Sequence, residues 1–304
     1  MADFLTSVVR CDAESSDSTV MNIDAHQHFW RYDRARDTWI TDAMSTLKRD
    51  FLPEEFTTVC DANGIDASIA VQADQSEAET MFLLKLAEDN PRIAGVVGWV
   101  DFLSPWLAER LHEFSSYEKL CGFRHVAQAE PDDHFLARED FVKGIAHLRQ
   151  FGFTYDILIY PRQLPAASDL VARLPWQRFV IDHLAKPEIK AKSLSPWATH
   201  IRRIAKSPNV YCKLSGLVTE ADWQHWKPED FKPYLDVVFE AFGTERLMFG
   251  SDWPVCLLAA DYAQVKQTIE AYVADYLTED REKIFGGNAI EFYKVKTAPH
   301  GLAA

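Results

Sequence analysis

IDAHQHFW, residues 23–30, combines a short apolar run with two histidines one residue apart and an acid before them. Residues i and i+2 of a β-strand face the same side, about 6.5–7 Å apart along it. The stretch therefore predicts a strand with Asp24, His26 and His28 on one face and Gln27 on the other. Two neutral imidazoles this close can share a small cation or direct two N–H donors at one oxygen.

This stretch is the first of eight short apolar runs in the chain. Most of the runs are continuous and rich in valine and isoleucine, as is typical of parallel strands buried on both faces. They cover residues 21–28, 67–73, 94–101, 121–125, 154–160, 178–183, 209–216 and 246–252.

Helical patterns separate the runs. After the second run, Ser76 and Glu79 form a capping box before MFLLKLAEDNP, and Pro91 ends that pattern. Eight strand–helix alternations without a break predict an α/β fold of the (β/α)8 TIM-barrel type. The competing topology, a doubly wound sheet, would normally carry a glycine-rich phosphate turn after its first strand, and the sequence has none there.

The 304 residues suit one large domain, and no low-complexity linker divides them. We expect residues 1–20 to form a flexible extension and residues 21–304 to form a single barrel domain. The first connection, residues 29–66, is long and carries Trp30, Tyr32 and Trp39, so we expect it to cover the mouth of the barrel. A second tryptophan-rich loop follows run seven.

The net charge of −14 disfavours nucleic acid and anionic membranes as partners, because a basic surface is needed to neutralise either. No apolar run reaches the length of a membrane span, and the first residues lack the features of a signal peptide. The five cysteines show no CxxC spacing and are typical of reduced thiols, which predicts a cytoplasmic protein. The sequence leaves the oligomeric state open, with a homodimer among the alternatives.

Polar side chains follow the predicted strands at their carboxyl ends, where the active site of a barrel is built. They are His26 and His28 (run one), Gln72 (two), Asp101 (three), Arg124 and His125 (four), Asp182 and His183 (six), Lys213 (seven) and Asp252 (eight). A single strand-end histidine is usually a satisfied polar residue, and Asp252 in GSDWP could simply cap a turn. It is the coincidence of HxH, His183 and Asp252 at three strand ends that indicates a site.

Arg124 and His125 are adjacent, so a regular strand directs only one of them into the barrel. Phe123 and His125 are two residues apart and therefore share a face of a regular strand, which favours His125 as the inward residue. A bulge would reverse this.

Taken in order, IDAHQHFW, VVGWVDF, GFRH, VIDHLAKP, NVYCKLSGL and RLMFGSDWPV resemble the amidohydrolase superfamily. Within it they resemble the branch of sugar-lactone hydrolases that includes L-fuconolactonase and L-rhamnonolactonase. The resemblance extends from about Ile23 to the FGGNAIEFY tail. It implies a (β/α)8 barrel that hydrolyses a small ring ester, an aldono-1,4- or 1,5-lactone such as L-fucono- or L-rhamnono-lactone.

The resemblance makes His26 and His28 the first-strand pair, His183 the sixth-strand histidine and Asp252 the eighth-strand acid. Run five, TYDILIY, ends without a histidine or a bridging lysine, which argues against two metals. Two alternatives stay open: one divalent ion, zinc or manganese, held by His26, His28 and Asp252, or a metal-independent site.

Lactone hydrolysis needs an activated water and a stabilised oxyanion. We expect Asp252 to be the general base, with the missing basicity supplied by a metal-bound water or by a desolvated pocket that raises its pKa. His183 would orient the water or contact the carbonyl oxygen, and His125 or Arg124 would face the carbonyl or a ring hydroxyl. The expected substrate-binding residues are Trp30, Gln72, Lys213 and Trp253.

Two other functions remain as alternatives. A metal-dependent decarboxylase on the same barrel would typically need a further strand-end histidine on run five, which is missing. A barrel that only binds a carbohydrate is compatible with the fold, because barrels support many roles.

Overall fold

The computed structural model describes residues 21–296, and both the predicted N-terminal extension and residues 297–304 lie outside this range. Eight parallel strands form one sheet in the order in which they occur in the chain, so the predicted barrel topology is confirmed and the doubly wound alternative is wrong. The strands are β1 (Ile23–Gln27), β2 (Ala67–Val71), β3 (Ile93–Gly98), β4 (Leu120–His125), β5 (Thr154–Ile157), β6 (Phe179–Ile181), β7 (Val210–Leu214) and β8 (Leu247–Phe249).

The ring closes between its first and last strands just beyond β8. The amide of Asp252 donates to the carbonyl of His26 at 2.8 Å, and the amide of His28 donates to the carbonyl of Trp253 at 2.7 Å. The backbone that closes the barrel is therefore the backbone that carries the first-strand histidines and the eighth-strand acid.

Helices surround the sheet. They are α1 (Pro53–Asn63), α2 (Glu77–Asp89), α3 (Leu107–Phe114), α4 (Glu139–Ala146), α5 (Leu148–Phe151), α6 (Leu164–Arg173), α7 (Trp197–Ile204), α8 (Leu217–Glu220), α9 (Pro228–Phe242), α10 (Tyr262–Tyr272), α11 (Thr278–Glu282) and α12 (Asn288–Tyr293). Helix α2 begins as predicted, since Ser76 Oγ accepts the amide of Glu79 at 3.1 Å. Among residues 21–296, no helix is both long and apolar enough to cross a bilayer.

Apolar side chains pack on both sides of the ring of strands. The smaller layer fills the amino-terminal half of the barrel interior and is closed by α12; it includes Ile23, Ala25, Ile69, Val97, Val180, Met248 and Phe292. The larger one lies between the strands and the outer helices. Because the strands are buried on both faces, the apolar filling stops only near their carboxyl ends, where the polar side chains collect.

Candidate active site

A cavity of about 470 Å³ opens at the carboxyl ends of the strands. Its polar floor includes His28, Arg124, His183 and Asp252. Trp39 and Met44 from the long first connection line it, as do Thr219, Glu220 and Trp223 from the loop after β7. The first connection therefore lies at the mouth of the barrel as expected, and the tryptophan-rich segment after run seven lies there too.

The first-strand histidines owe their position to a bulge in β1. The pairing of β1 with β2 shifts between Asp24 and Gln27, so that Ile23 and Ala25 belong to the inner layer below while His26 and His28 face the site above. The prediction that Asp24 shares a face with His26 and His28 is therefore wrong. Its carboxylate instead accepts the amides of His26 and Ser251, at 3.0 and 2.9 Å, and the hydroxyl of Tyr262.

Asp252 lies among three imidazoles. Its Oδ1 is 3.4 Å from Nε2 of His28 and 3.9 Å from Nε2 of both His26 and His183. Asp252 has a φ of 58°, a conformation that costs a residue with a side chain roughly 1–2 kcal/mol. The strained turn after β8 directs the carboxylate at the imidazoles, so the alternative of a simple turn cap is wrong.

His183 begins a left-handed turn directly after β6. Four consecutive residues without a glycine, His183, Leu184, Ala185 and Lys186, have φ between 50° and 57°. His183 Nδ1 lies 2.8 Å from Oγ of Ser215, and a Cβ on Gly216 would lie 2.7 Å from the same nitrogen. The loop after β7 therefore packs against the back of this imidazole, and its Nε2 faces Asp252.

The contacts of His28 determine its tautomer. Its Nδ1 lies 2.7 Å from the carbonyl oxygen of Val71, which can only accept, so Nδ1 carries the proton. The lone pair on Nε2 then faces His26, whose Nε2 is 3.2 Å away. A carbonyl that fixes the far nitrogen of an imidazole is a common outer contact of histidine metal ligands.

The donor set fits one divalent cation. One donor atom each from His26, His183 and Asp252 lies within 4.8 Å of the other two, and His28 Nε2 reaches both His26 and Asp252. Zinc bonds nitrogen at about 2.0–2.1 Å, which separates tetrahedral ligand atoms by about 3.4 Å. The distances from Oδ1 of Asp252 to the three imidazoles and between His26 and His28, 3.2–3.9 Å, are close to this spacing. His183 therefore joins the three ligands expected from the sequence.

Burial lowers the pKa of all three histidines, that of His183 to about 4. At neutral pH the imidazoles are therefore neutral, as both metal ligation and hydrogen-bond donation to an oxygen require. Burial alone would raise the pKa of Asp252, but its interactions with His183, His28 and His26 outweigh this and hold it below the ordinary value. The carboxylate is accordingly ionised at neutral pH.

The sequence matches the amidohydrolase family over residues 23–295, nearly the whole described chain. The chain belongs to the amidohydrolase family. A Burkholderia multivorans protein named L-fucono-1,5-lactonase is 44% identical over 284 residues, which cover 90% of this chain and 96% of the relative. A protein of the same name from Burkholderia ambifaria is 35% identical, over 90% and 95% of the two chains.

A solved structure supports the same assignment. The crystal structure of an amidohydrolase from Burkholderia multivorans with bound zinc matches with a TM-score of 0.88 and 44% identity. The match covers 91% of this chain and all of the other, so the barrel of this amidohydrolase has a close experimental counterpart.

On β4 it is Arg124 that faces the cavity, and the expectation for His125 is wrong. Arg124 Nη1 lies 3.0 Å from Oδ2 of Asp182 and 3.3 Å from Nε2 of His26. His125 stacks on Phe135 in the outer layer and lies 2.7 Å from Oε1 of Glu130. The prediction assumed that Phe123, which shares a face with His125, points into the barrel, but Phe123 packs outward. In a strand that is buried on both faces, an apolar residue does not show which face is the inner one.

Three expected substrate-binding residues of this amidohydrolase are buried behind the cavity wall, so that expectation is wrong for them. Trp30 donates its indole N–H to the carbonyl of Arg49, and Trp253 packs against Phe56. Gln72 donates its amide to the carbonyl of Arg124, at 3.1 Å. Trp39 and Met44 form the corresponding part of the wall instead.

Lys213, the fourth expected substrate-binding residue, lies beneath the site and is completely buried. Its Nζ contacts Oδ2 of Asp156 at 2.5 Å, Oδ1 of Asp182 at 3.0 Å and Nδ1 of His26 at 3.1 Å. No atom of Lys213 is exposed to the cavity, so the lysine supports His26 rather than a substrate.

Sequence analysis missed several residues that line the cavity. They include Tyr160, Lys186, Glu220 and Trp223. All lie beyond the strand ends, in the connections between strands, where no periodicity predicts the direction of a side chain. The available signal was position alone, since Lys186 follows His183 by three residues and Glu220 lies in the tryptophan-rich loop.

Proposed function

We propose that this amidohydrolase opens a sugar-derived lactone by attack of water, with Asp252 as general base. The observation that carries the proposal is the carboxylate of Asp252 amid three neutral imidazoles on the floor of a cavity with both polar and apolar walls. Two relatives at 44% and 35% identity carry the name L-fucono-1,5-lactonase, which supports a six-membered aldonolactone as the substrate.

In this mechanism the ionised carboxylate of Asp252 accepts a proton from the attacking water and returns it to the ring oxygen as the ester bond breaks. His183, whose Nε2 faces Asp252, orients the water. Arg124 lines the floor of the cavity, so its positive charge can stabilise the negative oxygen of the tetrahedral intermediate.

We further propose that His26, His28, His183 and Asp252 hold one divalent ion, for which zinc is favoured because a relative of 44% identity contains it. A bound divalent ion supplies Lewis acidity, which lowers the pKa of water and polarises a carbonyl. Two sources of basicity were considered from the sequence, an ion or a raised pKa of Asp252. Metal removal distinguishes the two sources, because only the first depends on a bound ion.

A pH-indicator screen of aldono-1,4- and 1,5-lactones tests the proposal. The protein is assayed as purified, after dialysis against a chelator, and after addition of zinc or manganese, with the metal content measured each time. We expect acid release from a 1,5-lactone, its loss with the metal and its return with added ion. Activity that survives complete metal removal would overturn the metal proposal, and no acid release from any lactone would overturn the function.

We also propose a cytoplasmic location, because Cys60, Cys121, Cys212 and Cys256 are free thiols. Fractionation of the source cells with an antibody against the protein tests this.

A further inference from the structure

Three neighbouring strand ends contribute a polar corner to the cavity. Tyr160 follows β5, Lys186 follows β6 and Glu220 follows β7, and all three line the cavity. Nζ of Lys186 lies 3.6 Å from Oε1 of Glu220 and 5.6 Å from the ring centre of Tyr160. The corner adjoins β8 and therefore Asp252.

The two charged groups keep unused hydrogen-bonding capacity. A separation of 3.6 Å is longer than a hydrogen bond, so the ammonium retains donors and the carboxylate retains acceptors. Their side chains are 19% and 22% exposed, on the wall of the cavity. A ligand in the cavity can therefore reach both groups.

Joining the two loops does not require this ion pair. The backbone already connects them, because the amide of Lys190 donates to the carbonyl of Glu220 at 3.0 Å. Such a partly exposed pair contributes little to stability.

The backbone that presents Lys186 is costly. Lys186 is the fourth residue of the left-handed turn, and each residue in this conformation is strained because its Cβ comes close to the following carbonyl oxygen. Residues three apart in a helical turn lie on one side of it, so the turn directs both His183 and Lys186 into the cavity. Strain of this kind collects where a side chain must be held for a ligand.

We propose that Lys186 and Glu220 form a subsite for adjacent hydroxyl groups of the lactone ring. The ammonium donates to one hydroxyl oxygen, and the carboxylate accepts the hydrogen of its neighbour. The inference rests on the proposed lactonase function and deepens it, because it assigns selection for polyhydroxylated lactones to a named pair. The apolar wall of Trp39, Met44, Val255 and Leu258 is left for the ring's less polar face.

The charges around the pair fit this role. Burial raises the pKa of Glu220, Lys186 opposes the rise, and the nearby charge of Asp252 adds to it. Glu220 and Asp252 line the same cavity, so a ring held by Glu220 shares that cavity with the proposed base.

The test compares the sugar lactone found active in the screen with analogues that each lack one ring hydroxyl. We expect the wild-type protein to lose roughly 10- to 100-fold in kcat/KM on the analogue that lacks a bound hydroxyl. Lys186→Met and Glu220→Gln should lose a similar factor on the full lactone and should no longer distinguish it from that analogue. Lys186→Arg should restore part of the discrimination.

The matched control is Lys190→Met, which changes an exposed lysine of the same loop and should alter kcat/KM less than twofold. Variants that slow all lactones by one common factor, or none, would overturn the subsite while leaving the lactonase function intact. Wild-type protein that opens no lactone would overturn the function and the subsite together. Thermal unfolding of each variant shows that the fold is retained.

Discussion

The Nζ atom of Lys213 lies 3.1 Å from Nδ1 of His26 beneath the cavity floor, and both side chains are completely buried. The ammonium of Lys213 forms ion pairs with Asp156 and Asp182, and Arg124 also pairs with Asp182. Within this cluster of four side chains, two cations thus balance two carboxylates. Such a balance is required there, because an unpaired charge in a dry interior is very unfavourable.

Lys213→Met tests this balance. It leaves two buried carboxylates with one cation, so we expect the free energy of unfolding to fall by about 3–5 kcal/mol. Lys213→Met combined with Asp156→Asn should recover a large part of the loss, because one charge of each sign is then absent. Urea unfolding followed by fluorescence measures both. Lys232→Met, at an exposed pair with Asp236, is the control and should cost less than about 1 kcal/mol.

Asp252→Asn tests the general base. The amide keeps the shape of the side chain but cannot accept the proton of water, so we expect kcat to fall roughly 10²- to 10⁴-fold. Metal content must be measured in parallel, because the amide is also a weaker ligand. Asp101→Asn is a matched control, since Asp101 lies just beyond β3 but its side chain is exposed. Equal activity of the two variants would remove the assignment.

Arg124→Lys and His125→Gln form a pair of neighbouring substitutions with opposite expectations. Lysine keeps the positive charge of Arg124 but lacks the planar guanidinium with its several N–H donors, so we expect kcat/KM to fall roughly 10- to 100-fold. His125 contacts Glu130 and Phe135 outside the cavity, so its replacement should change kcat/KM less than threefold. Steady-state kinetics on the active lactone decide between them, and the reverse order would contradict the observed orientation of β4.

The barrel was predictable because its signal is repeated and local. All eight apolar runs became strands, most of them shorter than predicted because the polar residues at their ends leave the hydrogen-bonded ladder. The grouping of His26, His28, His183 and Asp252 also followed from position, since the carboxyl ends of all barrel strands meet at one face.

Side-chain direction was less predictable. A bulge between Asp24 and Gln27 reverses parity within β1, and an outward Phe123 reversed the choice on β4. The left-handed turn from His183 to Lys186 contains no glycine, so nothing local predicts it. These features depend on contacts between distant parts of the chain, which one sequence does not display.

Glu79 gives a prediction for the dependence of stability on pH. The side chain is 5% exposed and accepts the amide of Ala73 at 3.2 Å, and burial raises its pKa from 4.5 to about 7. The folded state therefore holds this proton more tightly than the unfolded chain. The contribution to stability is complete below pH 4.5 and is lost as the pH rises through about 7, by about 3 kcal/mol.

Glu79→Gln keeps the acceptor for Ala73 but cannot ionise, so it should remove this loss. We expect the difference in unfolding free energy between the variant and the wild type to shift in favour of the variant by about 3 kcal/mol from pH 4.5 to pH 8. Urea unfolding across this range measures it. Glu88→Gln, an exposed acid on the same helix, should leave the difference constant within about 0.5 kcal/mol. Parallel curves for Glu79→Gln and the wild type would show that the pKa of Glu79 is the same in the folded and unfolded states, in which case the Ala73 amide and Arg36 offset burial.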